Sequence, residues 1–210
     1  MDYRIRVDTW TKHIHQDQFP GYCRYPDHEG TLLCSPTNII HCFQDQKVLE
    51  GLALTVAWGR MTRSKGNIYT QSNQVIEETL RNCPGLINKT NSIQDAWNLL
   101  VGRLKWSNVV TSKCLHFLAR SLGYSTDPHV PIDNKVIIKR VWPTYEKMII
   151  NNFDKTTEKF PDEWWDNSTS WSTYNRYMTA INCWASNKGW TTIQLENSIF
   201  QEYYPKDKTR

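Results

Sequence analysis

Apolar residues along most of this chain recur at spacings of three and four, and no stretch alternates convincingly between apolar and polar. That pattern points to helices packed by one face, so the expected fold class is all-α. Ser35-Pro36 offers a helix start, and Val48, Leu49, Leu52, Val56 and Ala57 carry the helical spacing on to Trp58 or Met61. Gly59 to Gly66 then interrupts it with a basic loop. Further helices are expected over about 70–82, stopped by Pro84-Gly85, over 91–104, with Ile93, Ala96, Trp97, Leu99 and Leu100 on one face, and over 111–123, closed by Gly123. The pattern resumes over about 133–152, kinked near Pro143, and again over 169–187 and 191–203. Residues 1–36 read as loop, with turn signals at Phe19-Pro20-Gly21-Tyr22 and Tyr25-Pro26-Asp27-His28-Glu29-Gly30.

The chain has 210 residues, enough for one well-buried domain or two small lobes sharing a cleft, and ten Trp, ten Tyr and six Phe supply large rings for a core. Intrinsic disorder is therefore not expected. A net charge of +4 favours an anionic partner. The basic residues gather at Arg60, Arg63 and Lys65, at Arg103, Lys105 and Lys113, at Lys135, Lys139 and Arg140, and in the tail at Lys206, Lys208 and Arg210. Each cluster taken alone equally suits a solvated helix face. Cys23, Cys34, Cys42, Cys83, Cys114 and Cys183 form no C-x-x-C and show no zinc-ligand spacing with histidine, so no metal is expected. No apolar run approaches the length of a membrane span, and Met1 to Arg6 hold no leader-like apolar segment. The expectation is a monomeric protein of a reducing cytoplasm that does not engage a membrane.

Two residues twenty positions apart, Lys113 and Asp133, carry the chemistry-bearing signal. Lys113 sits in Thr111-Ser112-Lys113-Cys114-Leu115-His116-Phe117-Leu118, which runs on to Gly123-Tyr124; Asp133 follows Val130-Pro131-Ile132. This arrangement resembles the helix-hairpin-helix DNA glycosylases, in particular the branch with the 8-oxoguanine DNA glycosylase fold. In that branch an S/G-x-K opens a helix reading H-F-L, and a V-P-x-D opens the next. The likeness covers roughly residues 104–142. It implies a two-lobed helical fold, with a degenerate helix-hairpin-helix and a cleft between lobes, formed by residues 1–210 as a single domain. Residues 1–36 would contribute a lobe edge or lid, about 91–150 the hairpin and catalytic segment, and 160–205 the aromatic-rich C-terminal helices. The resemblance also implies a bacterial source.

Carried over residue by residue, the resemblance makes Lys113 the amine nucleophile that attacks a sugar C1′. Asp133 would stabilise the oxocarbenium-like transition state and move protons. With Lys113 not attacking, Asp133 could instead activate water and leave an intact abasic site; the sequence leaves both courses open. Asp133 would serve equally as the N-cap of any helix. Lys105, Thr111, Ser112, Lys135, Arg60 and Arg63 are the candidates for contact with double-stranded DNA. His116, Phe117, Trp164 and Trp165 are candidates for the pocket that receives a flipped base, and Trp171, Tyr174, Tyr177 and Trp184 could add rings or simply pack. Trp58 and Trp97 read as core. No cofactor is implied: relatives with an iron-sulfur cluster hold it with four C-terminal cysteines, whereas only Cys183 lies there.

Two departures limit what the resemblance says about substrate. The family's G-x-G before the lysine is replaced by Val109-Val110-Thr111-Ser112, and Phe117 stands where 8-oxoguanine enzymes place a cysteine. Some relatives of the compact bacterial group are phage-defence glycosylases acting on glucosylated hydroxymethylcytosine, so a phage-specific modified cytosine is weighed ahead of 8-oxoguanine. A DNA-binding module of the same fold without chemistry, and a helical interaction or toxin-like protein, stand as alternatives from other classes.

Overall fold

A computed structural model describes residues 3–6, 31–59, 61, 68–90, 92–124, 131–132 and 170–203. These residues are predominantly helical, as the apolar spacing predicts, with one small antiparallel sheet added. Strands β1 (Tyr3–Arg6) and β2 (Thr31–Cys34) pair with Tyr3 opposite Cys34 and Arg6 opposite Thr31. Residues 1–36 are thus not all loop. The strands escape a sequence reading because four residues are too few to establish a period of two, and each is held by a partner far along the chain. The chain divides into two compact units, residues 1–106 with 113–125, and residues 107–112 with 126–210.

In the first unit, helix α1 (Pro36–Gln44) begins as the sequence indicates: Ser35 Oγ accepts from the Asn38 N–H at 3.1 Å and Pro36 occupies the first turn. The helical run expected to continue from there is broken at Asp45 to Lys47, where Gln46 adopts φ 61°. Helix α2 (Val48–Trp58) follows, buried at Val48 and at every residue from Gly51 to Ala57. It packs on α1 at Gly51, where an added Cβ would lie 2.9 Å from the Phe43 ring.

Helix α3 (Asn73–Thr90) corrects the expected stop at Pro84-Gly85, because it runs through both. Ile76, Leu80, Cys83 and Ile87 are wholly buried at spacings of four, three and four. An internal proline costs about 3 kcal/mol, whereas each fully buried large aliphatic side chain contributes roughly 1.5–3 kcal/mol, so a stripe extending past Pro84 can hold the helix together. The segment expected as one helix over 91–104 consists of α4 (Gln94–Leu99) and a π-helical turn at Leu100–Leu104, closed by Lys105 at φ 57°. Buried Trp106 then donates its Nε1–H to the Ile68 carbonyl at 3.0 Å.

Helix α5 (Asn108–Ser121) starts three residues earlier than expected and contributes to both units, the division falling between Ser112 and Lys113. Gly123, at φ 90°, ends it: Gly123 N–H reaches the Arg120 carbonyl and Tyr124 N–H the Ala119 carbonyl. In the second unit, α6 (Trp171–Asn187) and α7 (Thr192–Tyr203) match their expected spans within two residues and pack on each other. Gly189 at φ 67° closes α6 in the same manner as Gly123 closes α5. Thr191 and Gln194 exchange side-chain and backbone bonds at the start of α7. The helix expected over 133–152 lies outside the described residues. Among the described residues no helix is long and apolar enough to cross a membrane.

Candidate functional site

Within helix α5, all ten residues from Val110 to Ala119 are buried. Such a helix is ordinarily apolar all round. Here Thr111, Ser112, Lys113 and His116 are polar, and each is buried too. The early start at Asn108 explains the difference from the sequence reading, because it moves Lys113 from the helix opening into its second turn.

Only 3% of Lys113 is exposed. Its Nζ donates to the Gly59 carbonyl at 3.3 Å. Gly59 follows directly on α2, and its own N–H bonds the Thr55 carbonyl at 2.9 Å. The terminal carbonyls of a helix have no partner within it and form the negative end of its dipole, so a cationic donor suits that place. Lys113 Nζ also lies 5.9 Å from the centroid of the Trp58 ring. One turn further along α5, Phe117 meets Trp58 edge to face, with centroids 5.0 Å apart and planes at 88°. His116 meets Phe117 at 4.9 Å and 74°.

Other atoms around α5 extend this picture within each unit. Trp58 Nε1 and the Tyr69 hydroxyl are buried with no hydrogen-bond partner among the described residues, as is Thr111 Oγ1. A buried polar group left unpaired costs about 1–3 kcal/mol. Burial raises the Tyr69 phenol far above its ordinary range, with the Cys114 thiol adding to the effect. Burial likewise raises Cys114 well above the usual thiol value, Cys83 contributing, and pushes Cys83 itself up to about 12. These thiols are therefore protonated packing groups at neutral pH. In the second unit, Ser112 Oγ donates to the Val109 carbonyl at 3.1 Å and accepts the Ile132 N–H at 3.0 Å. The Tyr177 hydroxyl donates to the neighbouring Pro131 carbonyl at 3.4 Å.

Of the residues singled out from sequence, Lys113, His116 and Phe117 share one stretch of α5. Thr111 and Ser112 were expected at a phosphate. Both are wholly enclosed and the Ser112 hydroxyl is already engaged, so their side chains do not face outward. Lys105 is exposed and free to meet solvent or an anion. Asp133, Lys135, Arg60, Arg63, Trp164 and Trp165 lie outside the described residues. The sequence reading missed Trp58 and Gly59 as neighbours of the lysine. Their only signal was the abrupt end of an apolar helix at Trp58-Gly59, which reads simply as a helix stop. Among the described residues, no three His, Cys, Asp or Glu side chains gather in a way that could hold a metal.

No protein-family model matches the chain, and comparison with curated proteins and with solved structures finds no match.

Proposed function

We propose that the chain is a DNA N-glycosylase that excises a modified base, with a glucosylated hydroxymethylcytosine of invading phage DNA preferred over 8-oxoguanine. The observation that carries this reading is the buried amine of Lys113, fixed on a helix-end carbonyl beside the Trp58 ring. A lysine serving only to meet phosphates has no reason to be enclosed.

In this reading the Lys113 amine attacks C1′ of the target nucleotide. The C1′–N bond breaks, its electron pair leaves with the base, and the base takes up a proton. Asp133 stabilises the positive charge that develops on the sugar and accepts the proton that the amine loses. Opening of the sugar ring then gives a Schiff base, which water hydrolyses or which eliminates to cut the strand. The partly buried Trp58 ring beside the amine supplies a surface against which an extruded base can stack. Lys105 meets the DNA backbone from outside.

The test incubates the protein with genomic DNAs carrying different natural modifications and identifies released bases by mass spectrometry. Release of a modified base, with a borohydride-trapped crosslink that disappears in Lys113→Ala, is the expected outcome. Asp133→Asn should slow release by at least about a hundredfold while DNA binding is kept. Tight, salt-sensitive binding with neither release nor crosslink from any modified DNA would overturn the reading in favour of a non-catalytic DNA-binding module.

A further inference from the structure

Gly59 is bare where the lysine passes. A Cβ at this position would lie 2.9 Å from Lys113 Cδ, 3.1 Å from Lys113 Nζ and 3.1 Å from Met61 Cγ. The backbone does not call for glycine: φ −73° and ψ −1° are open to any L-residue. A helix end of this conformation is also tolerant of alanine. What the glycine supplies is room, and its carbonyl supplies the acceptor for Nζ at 3.3 Å.

We propose that Gly59 is the positioning residue for the Lys113 amine. Its missing side chain admits the last methylenes of the lysine, and its carbonyl sets where Nζ rests. The proposal deepens the glycosylase reading and rests on Lys113 as the reacting amine. A methyl group at residue 59 displaces the lysine and not the helix end, because the two pieces differ in stiffness. The Gly59 N–H is tied to the Thr55 carbonyl at 2.9 Å, whereas Cδ and Nζ are the flexible end of a long side chain. Trp58, held edge-on to Phe117 at 5.0 Å, walls one side of the lysine. The displaced amine therefore gives up the Gly59 acceptor, and its reactivity changes while the fold persists.

The experiment compares wild type, Gly59→Ala and Gly85→Ala. Gly85 lies exposed in α3 and an added Cβ there meets nothing within 4 Å, so it reports the bare effect of a glycine-to-alanine change. Each intact protein is reductively methylated with formaldehyde and cyanoborohydride in the absence of DNA. The Lys113 rate is read by peptide mass spectrometry against exposed Lys47 and Lys188. Gly59→Ala should change the relative Lys113 rate by about tenfold, as expected for loss of one charge-assisted hydrogen bond, with Gly85→Ala at the wild-type rate. Borohydride crosslinking to modified DNA should fall in Gly59→Ala through kcat, with KM little altered. An unchanged Lys113 rate overturns the proposal. So does a Gly59→Ala protein that fails to fold, since the lysine and not the backbone is required to yield. A changed rate in a protein that never crosslinks or releases a base sustains the role of Gly59 and overturns the glycosylase reading instead.

Discussion

Lys113 is the residue whose position most needs a reason. Enclosing an amine gives up its hydration, and the hydrogen bond to the Gly59 carbonyl returns part of that free energy. A group kept for chemistry is often neutral or costly for stability. Under the proposed chemistry, Lys113→Met, close in length and fully apolar, should shift the stability measured by urea unfolding by less than about 1 kcal/mol and give no borohydride-trapped crosslink. A loss above roughly 3 kcal/mol would instead mark the lysine as part of the scaffold. At this scale the sequence was half legible. Its flanking residues picked out Lys113 and Phe117, yet Trp58 and Gly59 lie more than fifty positions earlier and meet the lysine only through packing.

Among the elements, those ended by local chemistry were legible and those sustained by distant contacts were not. Ser35-Pro36, Gly123 and Gly189 each act within a few residues of chain, and the helix ends they set fall close to their expected places. Pro84 is the counterexample. Its local preference to break a helix is overruled by Ile76, Leu80, Cys83 and Ile87, whose burial depends on the rest of the first unit. The strain remains, because proline has no N–H to offer the carbonyl one turn back. Pro84→Ala should raise stability by about 1–3 kcal/mol, seen as a higher urea midpoint at unchanged slope. No gain would mean that α3 is kinked or relaxed enough at Pro84 to carry no penalty. The π-helical turn at Leu100–Leu104 was equally hidden, since its extra residue per turn keeps Leu100 and Leu104 both buried without altering the apolar pattern around them.

For the molecule as a whole, the helical character was readable from spacing, while the place of the boundary between the two compact units was not, because it runs through a continuous helix. Global stability should also carry a signature of the buried acids. Cys83, Cys114 and Tyr69 are all raised by burial, so the folded state keeps their protons after the unfolded chain has lost them. The folded form then binds more protons than the unfolded one, and stability falls as pH rises through the ordinary thiol value of 9.0 and beyond. Urea midpoints should be level near neutrality and decline from the ordinary thiol value of 9.0 toward about 12, with Cys83→Ala showing a shallower decline. An equal slope in that variant would place the alkaline loss elsewhere. The shared helix α5 has one more consequence, for the order in which a ribosome delivers the chain. Residues 1–125 complete the first unit, yet Ser107–Ser112 within them belong to the second, whose other residues begin at Thr126. Until Ile132 emerges from the ribosome, the Ser112 hydroxyl lacks the N–H it will accept. A nascent chain of 125 residues therefore holds every residue of the first unit and already carries the first piece of the second.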